Sequence, residues 1–157
     1  MIWDEIGMFD REVALYKRLR DRGVSVSFVT YGNSDDLYYR ECLPGINILC
    51  NRWGLPDSIY RRFIHIIHAK ALKTCDLIKT NQMNGADVVL RCAQFWGKPL
   101  IVRCGYMFSD HIACQYGDVS SHAKKARKLE QHVFKSADRI VVTTEKMAKE
   151  IREGLPG

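Results

Sequence analysis

The stretch that decides the fold is DLIKTNQMNGADVVLRCAQFWGKPLIVRCG, residues 76–105. It begins with a short apolar segment, 76–80, which ends in a polar loop. A helical pattern over 85–96 follows and stops at Gly97, and the β-branched run 98–103 comes next. Two short strands joined by a helix form a βαβ unit, whose strands pair in parallel through a right-handed crossover. This stretch therefore predicts a parallel sheet.

The same alternation of strands and helices continues on both sides of this unit. The further predicted elements are a helix over 9–21 closed by Gly23, a strand over 24–30, a strand over 46–50, a helix from 56 to about 71, a helix over 126–137, a strand over 138–143 and a helix capped by Thr144. We therefore expect an α/β fold: a doubly wound, Rossmann-like parallel sheet with helices on both faces.

The length of the chain and its two ends bear on domain organisation. A chain of 157 residues is the size of one domain, so we expect residues 1–157 to form a single domain. The chain opens on a loop and a helix with no preceding strand, and it stops directly after a helix. We therefore expect this domain to be truncated at both ends and to be part of a larger protein.

Composition narrows the class of protein. Apolar residues make up 46% and charged residues 27% of the chain, which is typical of a globular protein rather than a disordered one. The apolar runs are too short to span a bilayer and residues 1–5 are no signal peptide, so we expect a cytoplasmic protein. The six cysteines form no CxxC pair, which favours reduced thiols.

The net charge of +6 is concentrated in a few helical segments, including 17–22 and 124–128. Such runs are usually solvated helix faces, but they could also contact an anionic membrane surface. Basic residues are not interleaved with aromatic ones and no binding motif is present, so nucleic acid is excluded as an expected partner.

Polar residues follow three of the predicted strands. In doubly wound sheets, ligands bind beyond the carboxyl ends of the strands. Asn81-Gln82, the loop 103–110 and Thr144-Glu145 occupy such positions, so we expect them to border one crevice. In that loop, Gly105 would let the backbone come close to a ligand. Arg103 could grip a phosphate or carboxylate through two hydrogen bonds, or it could pair with an acid at the sheet edge.

The stretch 103–122 also contains thiols and imidazoles. Cys104, His111, Cys114 and His122 could be zinc ligands, yet their spacing matches no standard zinc module, and we expect no metal site. A nucleophilic Cys104 would need a partnered base and a lowered pKa, neither of which is visible locally.

Two further sets of residues allow a chemical or a structural interpretation. His65 and His68 could share a metal, but a basic, solvent-facing helix side is the favoured interpretation. Glu130 and Glu145 could be acid or base catalysts. For Glu130, salt bridging or helix capping is favoured, and no catalytic residue is assigned.

Three segments of the chain resemble the N-terminal half of GT-B glycosyltransferases of the family 4 type. GMFDREVALYKRLRDRGVSVSFVTYG (7–32) is similar to the family's glycine loop, Arg-Glu helix and following strand. Residues 76–105 are similar to its segment ending in Thr-x-His-Gly, and KLEQHVFKSADRIVVTTEKMAKEIRE (128–153) to its Glu helix and Ala-Asp strand. The order and spacing of the three agree with the family.

The resemblance implies a two-domain hexosyltransferase that moves a sugar from a nucleotide-sugar donor to an acceptor, with no further cofactor. The N-terminal domain would hold mainly the acceptor. The C-terminal domain, with the paired glutamates of the donor site, is absent from these residues, so the resemblance implies that this chain alone is inactive. Cys104 stands where the family often has histidine. The substrate-binding residues implied are Gly7, Asn81, Gln82, Arg103, Gly105, Tyr106 and Glu145.

We accordingly expect an enzyme of polysaccharide biosynthesis that acts on a glycan or lipid-linked acceptor in the cytoplasm. Its basic helix faces could place it peripherally at the inner face of the plasma membrane. The alternative is a non-catalytic α/β module that binds a small ligand or an anionic surface, because doubly wound domains host many activities.

Overall fold

The computed structural model describes residue 4 and residues 7–154. In chain order the elements are α1 (Phe9–Asp21), β1 (Val26–Val29), a 3-10 helix (Ser34–Arg40), β2 (Ile46–Leu49), α2 (Asp57–Ile67), α3 (Ala69–Thr74), β3 (Ile78–Lys79), α4 (Ala86–Trp96), β4 (Leu100–Cys104), α5 (Phe108–Tyr116), α6 (Ser121–Ser136), β5 (Arg139–Val142) and α7 (Glu145–Gly154). The residue before Gly7 and the last three residues of the chain lie outside this description.

All the strand pairs of the described residues are parallel. β1 pairs with β2, with Val26 opposite Ile46, and β4 lies between β3 and β5, with Val102 opposite Ile140. Helices connect the paired strands of the second sheet, as parallel pairing requires. The predicted parallel α/β class is confirmed, and its strands are divided between a two-stranded and a three-stranded sheet.

The contacts divide the chain into two compact units, Met1–His68 and Ala69–Gly157. In the first unit, α1 and the 3-10 helix pack on the two-stranded sheet through a small core whose fully buried members are Val13, Leu43, Ile46 and Ile48. Tyr16 and Phe28 meet edge to face at 4.8 Å between ring centroids. The single domain over 1–157 stays a prediction.

The second unit has the larger core. Alternate residues of β4, namely Leu100, Val102 and Cys104, point to one face of the sheet and are buried. Residues of α4, α6 and α7 pack against these strand residues. Together they form one buried cluster: Met83, Ala86, Leu90, Ala93, Leu100, Val102, Cys104, Val133, Phe134, Met147 and Ile151. This core fixes the position of all three strand ends in the unit.

Two helices differ from the sequence prediction. α5 occupies a stretch for which no helix was predicted. The stretch is only nine residues long, which is too short for a clear helical repeat of apolar residues. The single helix predicted from residue 56 to about 71 is divided into α2, which ends at Ile67, and α3; α2 buries Tyr60 and Ile64 and leaves Ile59, Phe63 and Ile66 exposed.

Candidate functional site

The carboxyl ends of β3, β4 and β5 lie side by side at one edge of the three-stranded sheet, because the strands are parallel. The loops that follow them are joined by hydrogen bonds. The Thr143 hydroxyl donates to the Gly105 carbonyl at 3.0 Å, which connects the loop after β5 to the loop after β4. This edge is where the doubly wound architecture binds ligands.

Thr80 connects the loop after β3 to β4. Its side chain is buried, and its Oγ1 accepts a hydrogen bond from the Arg103 backbone N–H at 2.9 Å. Sequence reasoning missed this residue, because a threonine at a strand end has no distinguishing signal. Its effect is to hold Asn81 and Gln82 beside Arg103.

Arg103 lies on the side of β4 opposite the core, where its side chain is partly buried. Its Nη1 donates to the Asn81 backbone carbonyl at 3.2 Å. The sequence allowed two roles for Arg103, binding an anionic ligand or pairing with an acid. The structure shows a further role, because the guanidinium holds the loop at Asn81.

Gly105 and Gln82 approach each other closely. A Cβ atom at position 105 would lie 3.2 Å from Oε1 of Gln82, so the absence of a side chain at Gly105 makes room for the Gln82 amide. Oε1 of Gln82 is buried and accepts no hydrogen bond from the described residues. A buried acceptor without a donor is costly, because it has lost its hydrogen bonds to water.

Tyr106 and Glu145 complete the edge. The Tyr106 ring is exposed on one side and meets the His111 ring at 5.7 Å between centroids. Glu145 is an exposed residue in the first turn of α7, where its negative charge suits the helix dipole. The Thr144 hydroxyl accepts from the Met147 N–H at 3.2 Å, which confirms the predicted N-cap.

Cys104 is a core residue rather than a reactive one. Burial, reinforced by the nearby Glu130 carboxylate, raises the pKa of the Cys104 thiol to about 11. Its Sγ donates to the Tyr106 carbonyl at 3.1 Å. The described residues contain no group of three histidine, cysteine or acidic side chains placed to hold a metal. His122, the fourth residue of the zinc hypothesis, stacks on Tyr116 at 4.7 Å.

Glu130 caps a neighbouring helix, which was one of the two roles, salt bridging or helix capping, that the sequence favoured. It is buried on α6, and its carboxylate accepts a hydrogen bond from the Phe108 N–H at 2.5 Å, at the start of α5. Burial raises the pKa of this carboxyl, and hydrogen bonds from Ser109 and Phe108 partly oppose the rise.

Gly7 belongs to the first unit. It has a left-handed φ of +67°, its N–H donates to the Asp4 carbonyl at 3.0 Å, and nothing lies within 4 Å of where a Cβ would be. The structure places it in a tight turn before α1. The other six predicted binding residues are all second-unit residues. Among them, Arg103 hydrogen-bonds to Asn81, and Gln82 lies close to Gly105.

A second polar cluster, in the first unit, was missed. Tyr60 donates its hydroxyl hydrogen to the Thr30 carbonyl at 3.0 Å, and its oxygen lies 2.7 Å from Nε2 of His68. Burial, aided by Arg52, lowers the pKa of His68, which favours the neutral imidazole. The prediction of a solvent-facing His68 is wrong, because α2 ends at Ile67 and His68 turns inward.

The fold defines a class of protein: a parallel α/β protein with polar residues at the carboxyl ends of its strands. The family model described as Glycosyltransferase Family 4 matches residues 13–157, so the chain belongs to that family. No curated protein and no solved structure matches the chain. Within the described residues, no helix is both long and apolar enough to cross a membrane.

Proposed function

We propose that this chain is the acceptor-side, N-terminal domain of a hexosyltransferase of polysaccharide biosynthesis. The donor is a nucleotide sugar, and the acceptor is a glycan or a lipid-linked sugar. Membership of Glycosyltransferase Family 4 supports transfer of a sugar in general. The donor, the acceptor and the hexosyl type are inferences from the resemblance together with the polar edge of the second unit.

The observation that carries an acceptor site is the unpaired Oε1 of Gln82 beside Gly105. A sugar hydroxyl is a donor of the right kind for a buried amide oxygen. Tyr106 presents an exposed ring nearby, and aromatic rings pack against the apolar faces of sugars. We therefore assign Gln82 and Tyr106 to the recognition of a sugar ring.

Arg103 supplies positive charge at the same edge. When a nucleotide sugar transfers its sugar, negative charge develops on the departing diphosphate, and fixed cations and N–H donors stabilise it. Arg103 can act there or hold an anionic acceptor, while Asn81 keeps the guanidinium in place. The other contribution of the protein to the reaction is to position the acceptor, and neither a metal nor a further cofactor is proposed.

The test is an assay of sugar transfer from uridine, guanosine and thymidine diphosphate sugars to a lipid extract. It uses the chain together with whatever its reading frame encodes on either side. We expect Arg103→Ala to lower kcat/KM roughly 10- to 100-fold, since a charge-assisted hydrogen bond contributes about 1.5–3 kcal/mol. Gln82→Leu should raise the acceptor KM about tenfold and change kcat little.

Gln94→Leu is the matched control, because Gln94 is an exposed glutamine near the end of α4, on the segment that leads into the amino end of β4 rather than out of its carboxyl end. Its kcat and KM should equal those of the unchanged protein. Failure of every donor to react would remove the transferase proposal. Binding of a small ligand without turnover would instead favour the non-catalytic module.

We further propose that the protein works in the cytoplasm at the inner face of the plasma membrane. α6 carries exposed lysines at 124, 125, 128 and 135, which fit the basic helix face expected from the sequence. Lipid-linked acceptors are found at such a surface, and basic residues near anionic lipids contribute about 1 kcal/mol each.

A further inference from the structure

A buried hydrogen bond connects the carboxyl end of β1 to α2 in the first unit. The Tyr60 side chain is fully buried, and its hydroxyl donates to the Thr30 carbonyl at 3.0 Å. The Oγ1 atom of Thr30 is also buried, and within the described residues it has no hydrogen-bond partner. This strand end therefore depends on the Tyr60 hydroxyl, rather than on the Thr30 side chain, for its connection to α2.

His68 lies on the other side of the same hydroxyl. It is only 7% exposed, and its Nε2 atom lies 2.7 Å from the Tyr60 oxygen. His68 directly follows α2, and its backbone N–H donates to the Ile64 carbonyl at 3.0 Å. Histidine is the side chain whose ordinary pKa allows a change of charge between pH 5 and pH 8. The buried contact between β1 and α2 thus includes a group that can take up a proton near neutral pH.

A short loop after β2 lies against the imidazole. We call residues 51–55 the Asn51 loop. The Asn51 side chain closes this loop, because its Nδ2 donates to the Leu55 carbonyl at 2.7 Å and its Oδ1 accepts from the Leu55 N–H at 3.0 Å. Trp53 is 56% exposed and packs on His68 at 6.3 Å between ring centroids. The Asn51 loop is therefore closed on itself and meets His68 through the Trp53 ring.

Arg52 makes a charged imidazole unfavourable in this place. Its guanidinium lies 5.4 Å from the centre of the Trp53 ring. Within the described residues, the Tyr60–His68 pair is faced by Thr30 after β1 and by Arg52 and Trp53 of the Asn51 loop, of which Arg52 is charged. Burial, and secondarily Arg52, lowers the pKa of His68. The partial negative charge at the end of α2 acts in the opposite direction, but burial is the larger effect.

We propose that His68 is an acid-sensitive switch that controls the position of the Asn51 loop. At neutral pH the uncharged imidazole lies between Tyr60 and Trp53, and the loop is closed over it. When the pH falls, His68 takes up a proton, which places a second positive charge near Arg52 in a site largely shut off from water. The loop then opens, because the imidazolium is hydrated only when Trp53 moves away. This inference goes beyond the proposed sugar transfer and does not depend on it.

The direction of the pH dependence follows from the coupling between proton binding and loop opening. His68 binds its proton less tightly when the loop is closed than when it is open. The closed form is therefore favoured above the ordinary pKa of histidine, about 6.5, and this preference is lost as the pH falls through the lower pKa of the closed form. Between the two pKa values, each pH unit multiplies the equilibrium constant for opening by up to about ten.

The experiment follows the isotopically labelled whole chain by nuclear magnetic resonance from about pH 7.5 to about pH 5. The indole N–H resonance of Trp53 is identified by its absence from Trp53→Phe. We expect this resonance to shift with the same midpoint as the ring protons of His68, at a pH below the ordinary pKa of histidine. The nuclear Overhauser effect between the Trp53 and His68 rings should weaken at least about fivefold through that midpoint, because the rings separate.

Three variants separate the switch from other effects of acid. His68→Gln carries no titratable group at this position, so the Trp53 resonance should no longer shift over this range. Arg52→Gln removes the neighbouring charge at an exposed position, so the midpoint of the His68 titration should rise. His132→Gln is the matched control, because His132 is an exposed histidine of α6 in the second unit, and the Trp53 titration should be unchanged.

Three results would overturn the proposal: a Trp53 resonance or Overhauser effect that does not follow the titration of His68, an unchanged His68 midpoint in Arg52→Gln, or a Trp53 response that persists in His68→Gln. Circular dichroism establishes that each variant is folded. If His68→Gln does not fold, the midpoint in Arg52→Gln decides the question, because that substitution leaves the buried residues in place. Sugar transfer is measured separately, and its failure leaves the titration result standing.

Discussion

A single carboxylate, that of Glu130, joins two helices of the second unit. It lies on α6 and accepts the N–H of Phe108, where four backbone N–H groups at the start of α5 lack helical partners. The partial positive charge of that helix end favours an ionised acid, whereas burial favours a protonated one. Burial is the larger effect, and the pKa of Glu130 is raised.

The pH dependence of stability follows from the direction of this pKa shift. The folded protein holds the Glu130 proton to a higher pH than the unfolded chain does. The stabilising contribution is therefore complete below the unfolded-state pKa and is lost as the pH rises through the folded-state pKa. We expect the free energy of unfolding of the unchanged protein to fall, relative to that of Glu130→Gln, as the pH rises above about 4. Urea unfolding at a series of pH values measures it.

Truncation of the same residue provides a second comparison. Glu130→Ala leaves the Phe108 N–H without its acceptor and should cost about 1–3 kcal/mol. Glu150→Ala is the control. Glu150 is exposed, and one of its carboxylate oxygens lies 3.7 Å from the Lys146 ammonium, so this substitution should lower the free energy of unfolding by under about 0.5 kcal/mol. Equal losses in the two variants would contradict the capping role.

At the scale of elements, α7 begins directly behind the candidate site. Thr143 holds the Gly105 carbonyl, and Thr144 caps the helix. Thr144→Ala should cost about 1 kcal/mol of unfolding free energy, because the Met147 N–H loses its acceptor. Thr144→Ser keeps the hydroxyl and should lose only a few tenths. Faster amide exchange at Met147 in the alanine variant alone would assign the loss to the cap.

Element types with strong periodicity could be predicted from the sequence, and α1 was predicted with its observed bounds. The features that the sequence did not predict, namely α5 and the orientation of α2, have physical explanations. α5 is only nine residues long, and its start is capped by Glu130, which is distant in sequence. The orientation of α2 could not be predicted, because both of its sides are apolar and only tertiary packing chooses between them.

The candidate site was partly predictable for a related reason. Strand ends can be located from sequence, so Asn81, Gln82, Arg103 and Gly105 could be expected at one edge. Thr80 could not, since its role depends on a hydrogen bond to the strand beside it. Cys104 drew chemical hypotheses from its neighbours in sequence, but strand alternation turns its side chain into the core.

At the scale of the whole molecule, the two units differ in how much apolar surface supports them. Among the described residues, sixteen buried apolar residues lie in the second unit and seven in the first. β4 is a central strand with one face in the larger core, whereas β1 pairs with β2 and carries alternately exposed residues. Opening of the first unit should therefore require less free energy.

Hydrogen exchange measures this difference. After correction for intrinsic rates, we expect the amides of Leu100–Cys104 to exchange at least roughly tenfold more slowly than those of Val26–Val29. Val102→Ala should accelerate exchange across the second unit, because it leaves a cavity in a fully buried position. Equal protection in the two strands would mean that the chain unfolds as one cooperative body.

The close approach of Gly105 and Gln82 also constrains the order in which this edge can evolve. Any side chain at position 105 must first meet the Gln82 amide, which would have to yield by a few tenths of an ångström. A smaller residue at position 82 removes that obstacle. In laboratory evolution toward a new acceptor, substitutions at position 105 should therefore be tolerated best after position 82 has changed, and the reverse order should be the poorer route.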